Sequence, residues 1–283
     1  MPRLLRNNDY GKLIQTDNLE QIISDNYNWL HEAEQAAQAE MISYMVQRYN
    51  TDKIFTDTTV FDIDATYYGK NLVEYTADAF DYATIYNTGD RVVYEDKIYE
   101  AKGASPAYAG IEPTDTDYWE FICNDKTLFY AKLPNQEWNA TTKYAVGAEV
   151  WYNDIVYTCI VASQGNLPNE NPEKWEAGIT YSFDGVLPTD TTKWTKGDNR
   201  NQQIVMYLID ITLYHIHARI NPRNIPELRM VRYDGNNASQ NGGAIAWLKR
   251  VADGIITADL PSLIPTQGLS IQWGSNTKNN NDY

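Results

Sequence analysis

The sequence predicts an α+β multidomain chain, a small α-helical domain interrupted by two small β modules and a partial third. Three observations lead there. Apolar residues recur at three-and-four spacing near both ends of the chain, a tyrosine–glycine–tryptophan pattern repeats in the middle, and charge and aromatic content shift between these regions. The 283 residues carry 38 Asp and Glu against 23 Lys and Arg, a formal charge of −15. Such an excess disfavours binding to a phosphate backbone, which needs a segregated basic surface.

The first region reads as helical. Asp17 with Glu20 suggests a capped short helix through Ile23, and Leu30, Ala33, Ala37, Met41 and Met45 mark one face of a longer helix over 26–49. Alanines on consecutive turns predict close approach of another helix. The stretch 58–68 alternates β-branched or aromatic residues with polar ones, as in a strand or hairpin.

The middle holds the most specific signal. Tyr86, Gly89, Val92, Tyr94 and Tyr99 recur with identical spacing as Tyr144, Gly147, Val150, Tyr152 and Tyr157, and each copy runs through a proline loop to a tryptophan, Trp119 or Trp175. In one unit Val92 and Tyr94 lie on a strand, Glu95-Asp96 turn the chain, and Ile98 and Tyr99 return on its partner. The late Trp closes a core too small to form without a large aromatic. A partial third copy runs from Gly185 through Pro188-Thr189-Asp190-Thr191 to Trp194.

After residue 200 helical periodicity resumes. Residues 203–220 are apolar on two faces, including Ile209 and Ile216, which predicts burial on more than one side, either at a central position in the helical domain or against another subunit. Asp210, His215, His217 and Arg219 interrupt this stretch, so no membrane span is expected. Short helices are expected at 227–233 and 244–253, then an extended C-terminal arm. The expected division is 1–79 and 200–260 for the two helical parts, 80–124 and 125–199 for the β modules, and 261–283 for the arm. The helical parts should fold as one domain, because neither has enough elements to bury its own face.

Sites of chemistry are sparse. The sequence has no Gly-rich phosphate loop, HExxH, GxSxG or CxxC. His215 and His217 diverge on a helix, which favours structural roles over metal binding. Asp62 and Asp64 read as a solvated face, and Cys123 and Cys159 as small buried hydrophobes in a reducing cytoplasm. No carboxylate pair stands out as acid and base, so neither an enzyme nor a cofactor is expected. Basic residues gather late in the chain, Arg219, Arg229, Arg232, Lys249 and Arg250 among them; they read first as ordinary surface with i,i+4 pairs and, more sharply, as suited to an acidic surface on a neighbouring copy such as its N-terminal segment.

Two resemblances add to this reading. Asp17–Tyr49 and Arg232–Leu260, with their D-N-L-x-Q-I-I and A-W-L-K-R-V-A-D-G-I-I segments, resemble the Mu-like head–tail connector (head-completion) proteins of tailed bacteriophages over roughly residues 10–56 and 203–260. The resemblance implies a ring of copies below the portal protein, in the virion neck between capsid and tail, assembled in the host cytoplasm. Double-stranded DNA would pass through it without sequence-specific contact, tail or further connector proteins would dock on it, and the arm would reach onto a neighbouring protein. Together with that arm, it suggests the crAss-like phages. The repeats resemble chitin-binding-type carbohydrate-binding modules over residues 80–122 and 138–176. Where that family usually carries an exposed Trp pair, this chain has Gly103-Ala104 and Val161-Ala162, so glycans are a secondary candidate partner. Trp151, read as facing outward, and Tyr108 are the candidate sugar contacts. A carbohydrate-binding protein whose helices only oligomerise it is the competing reading.

Overall fold

The computed structural model describes residues 3–24, 26–102, 110–235 and 242–263. The expected C-terminal arm falls largely outside the described residues. The chain is α+β, with one helical core and three small four-stranded sheets. Among the described residues, no helix is long and apolar enough to cross a membrane.

The helical part opens with a 3₁₀ turn, Asn7–Lys12, followed by α1 (Thr16–Ile23), α2 (Tyr27–Met45) and the single turn α3 (Thr51–Ile54). It resumes after the β region with α4 (Gln202–Ile220), α5 (Glu227–Asp234) and α6 (Ala244–Ala252). The expected Asp17 cap is not used; α1 begins at Thr16 behind Gln15, with no side-chain cap. Asn26 and Asn201 do cap their helices, accepting from Asn28 N–H in α2 and from Gln203 and Ile204 N–H in α4. Leu30, Ala33, Ala37, Met41 and Met45 of α2 share one core with Ile204, Leu208, Ile211 and Val251. The predicted alanine stripe thus lies in the core where α2 meets α4.

The two apolar faces of α4 are covered from within the chain. Ile209 and Ile216 are buried, because α4 packs against α2, α5, α6, α1 and the 3₁₀ turn together. Of the two alternatives the central position holds, and contact of these two residues with another subunit is corrected. Reading α4 against a single partner helix leaves one face unaccounted for, and the short helices supply the missing layer.

The β region holds a complete third module. β1 (Thr58–Val60) runs parallel to β2 (Leu72–Tyr75), which pairs antiparallel with β7 (Thr127–Ala131), and β7 pairs with β12 (Trp194–Lys196). The same plan gives β3 (Asp78–Ala79), β4 (Arg91–Tyr94), β5 (Lys97–Ala101) and β6 (Trp119–Asn124) in module 1. It also gives β8 (Gln136–Glu137), β9 (Glu149–Tyr152), β10 (Ile155–Cys159) and β11 (Trp175–Thr180) in module 2. Module 3 is therefore split by the other two. Tyr75 pairs with Thr127 as Tyr94 pairs with Lys97 and Tyr152 with Ile155, so module 1 replaces the hairpin turn of module 3. In modules 1 and 2 that turn is two residues of positive φ, Glu95-Asp96 and Asn153-Asp154. Module 2 lies between β7 and β12. The expected boundary at residue 79 thus moves, since residues 58–75, read with the helices, form half of a sheet.

Equivalent atoms repeat the same bonds in all three modules. The backbone N–H groups of Asp62, Asp81 and Asn139 donate to the hydroxyls of Tyr67, Tyr86 and Tyr144 at 2.7, 2.8 and 2.7 Å. The Trp194, Trp119 and Trp175 indoles donate to the carbonyls of Val186, Ile111 and Asn166 at 3.0, 3.2 and 3.1 Å. Gly89 and Gly147 take φ of +90° and +88°, and at the equivalent place module 3 has Lys70 at +72°. Lys70 N–H still donates to Ala131 O at 2.8 Å, as Gly89 does to Ala101 O.

Arg200 ties the helical part to the point where the β region ends. Its side chain is buried and donates to Asp9 at 2.7 and 3.0 Å, to Asp198 at 2.7 Å and to the Leu4 carbonyl at 2.7 Å. Burial alone would raise the Asp9 carboxyl, but the bonds and charge of Arg200 outweigh it and hold Asp9 below its ordinary 3.8. A depressed carboxyl contributes stability above its unfolded pKa and loses it as pH falls through the folded value. Asp9→Asn leaves the guanidinium short of charge and is expected to cost about 3–5 kcal/mol at pH 7 in urea unfolding. The gap between wild type and variant is expected to narrow below pH 3.8.

Candidate functional site

The sequence-predicted residues separate into three groups. The repeat residues Tyr86, Val92, Tyr99 and Trp119 form the core of module 1, and Tyr144, Val150, Tyr157 and Trp175 that of module 2; Tyr94 and Tyr152 pack at their edges. Cys123 and Cys159 are both buried free thiols. Cys123 does not belong to its own module's core: with Ile98 it joins Val73, Tyr75 and Phe129 of module 3, where burial pushes its thiol up. Module 1 is thereby fused to module 3 by a shared apolar layer.

Trp151 corrects the outward reading. Its ring is buried, and a Cβ at Gly69 would lie 3.0 Å from it. Alternation with Val150 does turn it away from its own module core, but the Gly69 segment of module 3 covers that side. Trp151 is a joint between modules, with no flat face free for a sugar. Tyr108, Gly103 and Ala104 lie outside the described residues.

The late basic residues are engaged within the chain. Arg232 donates to Asp210 at 2.6 and 3.2 Å, and Arg229 is half-buried beside the same carboxylate. Arg219 pairs with Glu32 and lies over the Trp29 ring, Lys249 lies 3.6 Å from Asp234, and Arg250 is half-buried. His215 meets Glu40 at 2.9 Å, and burial lowers the His217 pKa. Asp62 accepts from Asp64 N–H at 3.0 Å in a turn. Among the described residues, no group of three His, Cys, Asp or Glu side chains is placed to hold a metal.

Three surfaces remain that composition and spacing did not single out. α5 buries none of its residues and presents Leu228, 62% exposed, with Met230 and the neighbouring Ile220 at the end of α4. This is an apolar patch beside the Arg229–Arg232 charges. On module 1, Tyr82 is 54% exposed, and its hydroxyl bonds Glu112 at 3.1 Å and lies 3.4 Å from the Tyr94 hydroxyl. Those hydrogen bonds hold the Tyr82 phenol well above its ordinary value. Modules 3 and 2 have Ile63 and Ala140 at the place of Tyr82, so only module 1 carries this ring. Alignment of all three copies on Tyr67, Tyr86 and Tyr144 exposes this difference. Third, a cleft of about 820 Å³ separates α2 and α3 from β1, lined by Ile42, Phe55, Val60, Tyr67, Tyr68 and Gln38 among others.

No family model matches this sequence, and no curated protein matches it.

The joint at Trp151 generates a direct expectation. Trp151→Ala removes a buried indole between two modules and should cost about 3–5 kcal/mol in chemical unfolding. Retention on immobilised chitin, whatever its level, should be the same for the variant under native conditions.

Proposed function

We propose that this chain is a structural virion protein: a ring-forming head–tail connector in the neck of a tailed phage, between portal and tail, with its β modules as passengers. The observation that carries the reading is the single core closed by the two terminal helical segments, with α5 left uncovered. Leu30, Ala37 and Met41 pack with Leu208 and Ile211 across the whole β region, as a connector-type helical domain requires. The exposed Leu228 and Met230 then offer an apolar contact for the next copy. In this reading the role is mechanical, without catalysis or cofactor. An acidic ring lets duplex DNA slide through without sticking, and portal and tail proteins dock on its two rims.

Native mass measurement and negative-stain imaging test the proposal. The expected result is a closed ring that the cognate portal retains. Leu228→Glu should dissociate it while leaving helical circular dichroism intact. A chain that stays monomeric at high concentration and is never recruited by a portal refutes the proposal.

A second reading rests on Tyr82. An exposed aromatic ring flanked by a phenol and a carboxylate suits stacking and hydrogen bonding to a sugar. In this reading the chain binds carbohydrate and its helices only oligomerise it. A glycan array should then show hits that Tyr82→Ala abolishes; an array without hits removes this reading.

A further inference from the structure

We propose that Tyr82, Tyr94 and Glu112 of module 1 form a subsite for a sugar bearing a free, protonated amino group, the glucosamine class rather than its N-acetylated form. The inference deepens the carbohydrate reading and rests on it; the connector reading does not bear on it.

The other two modules supply an internal control. In all three, the late indole donates to a main-chain carbonyl, that of Ile111, Val186 or Asn166, and the residue that follows is Glu112, Leu187 or Leu167. Leu187 and Leu167 pack against the cores of modules 3 and 2. Glu112 is instead exposed and accepts a hydrogen bond from the Tyr82 hydroxyl. The place of Tyr82 holds Ile63 or Ala140 in those modules. Two positions that meet in space thus differ together in module 1 alone, where the same fold closes elsewhere with apolar side chains. The fold does not require the pair.

The pair is also held in place. Phe80, packed on the core of module 1, meets the exposed Tyr82 ring edge-on with 5.0 Å between centroids, and the Tyr82 hydroxyl is tied to Glu112 at 3.1 Å. A ring fixed in advance gives up little freedom on binding. Hydrogen-bond polarity then selects the ligand. A carboxylate only accepts, so the Tyr82 hydroxyl directs its proton to Glu112. Its oxygen can then only accept, and the Tyr94 hydroxyl, 3.4 Å away, is left as the donor to it. The cluster therefore offers a ligand acceptors, a negative charge and the electron-rich face of a ring. Among the described residues no cation pairs with Glu112. Residues 80–124 carry nine Asp and Glu against three Lys and Arg. A protonated amine suits each of these features, since it donates, is drawn to the carboxylate and is attracted to the ring face. The flat face of a pyranose covers the rest of the Tyr82 ring, which a lysine side chain would leave bare. An N-acetyl group puts a neutral amide where the charge would be and leaves the carboxylate uncompensated.

The test is calorimetric titration of the full chain with the hexamers of glucosamine and of N-acetylglucosamine, at a mildly acidic pH that keeps the amine protonated. The glucosamine hexamer is expected to bind about tenfold more tightly than the acetylated one. Glu112→Leu and Tyr82→Ala, which match modules 3 and 2 at these places, should each weaken that binding about tenfold and leave the circular dichroism unchanged. Equal affinity for the two hexamers, lost in Tyr82→Ala, would overturn the proposal while the carbohydrate reading stands. Glucosamine binding that both variants keep would overturn it as well, assigning the attraction to the acidic surface at large. Binding of a lysine oligomer at Tyr82 without the glucosamine hexamer would assign the site to a peptide and overturn it. Failure to bind either hexamer would overturn it outright.

Discussion

One buried guanidinium holds the two halves of the chain to a single geometry. A β region of well over a hundred residues separates the helical segments, and a host domain tolerates such an interruption only if its cut ends stay together. Arg200 provides that closure. It reaches Asp9 and the Leu4 carbonyl on one side and Asp198 on the other, three residues before the Asn201 cap of α4. Three charges out of water are costly unless each is paired, and here the five donors of Arg200 meet both carboxylates and a carbonyl. With the ends fixed, α4 has one place to go, between α2 and the short helices, and the core from Leu30 to Val251 can form.

The β region follows a second rule, that an insertion is least disruptive where the host chain already turns. Module 1 occupies the position of a two-residue turn, and its two chain ends are held together by the bond from the Thr76 hydroxyl to Asp125 at 2.5 Å. Module 2 leaves β7 and returns before β12, in the loop that in the other copies leads to the late Trp. The junctions are then sealed by different means. Ile98 and Cys123 extend the core of module 3 into module 1, whereas Trp151 over Gly69 and the Lys53–Glu137–Lys70 pairs hold module 2. The salt bridges are half exposed and contribute little next to the indole.

Much of this was legible in the sequence, and the misses have physical causes. Helices over 26–49, 203–220 and 244–253 follow from apolar periodicity, and observed ends differ by a few residues because caps and fraying are local. The spacing from Tyr86 to Trp119 and from Tyr144 to Trp175 located two modules. Of the third only the last part, Gly185 to Trp194, was recognised, because module 1 interrupts it at its turn and Lys70 stands where the pattern has Gly. Its signature was present as Phe61, Tyr67, Val73 and Tyr75, each nineteen residues before its counterpart in module 1. Trp151 was misread because strand alternation reports which side a residue faces, not what covers that side. The exposed Leu228, Tyr82 and the cleft beside Gln38 depend on tertiary placement, which periodicity does not contain.

Nesting at turns also decides how these modules carry force. Module 1 hangs from Tyr75 and Thr127, the adjacent ends of two neighbouring strands, so a pull on it draws β2 and β7 the same way and leaves the ladder between them unloaded. The strain passes sideways to β1 and β12 as shear along their hydrogen bonds, and from there to the helical core through the bond from Thr58 N–H to Arg3 O and through Arg200. A domain strung on a single linker would swing under such a load; this one is held like a drawer on two rails.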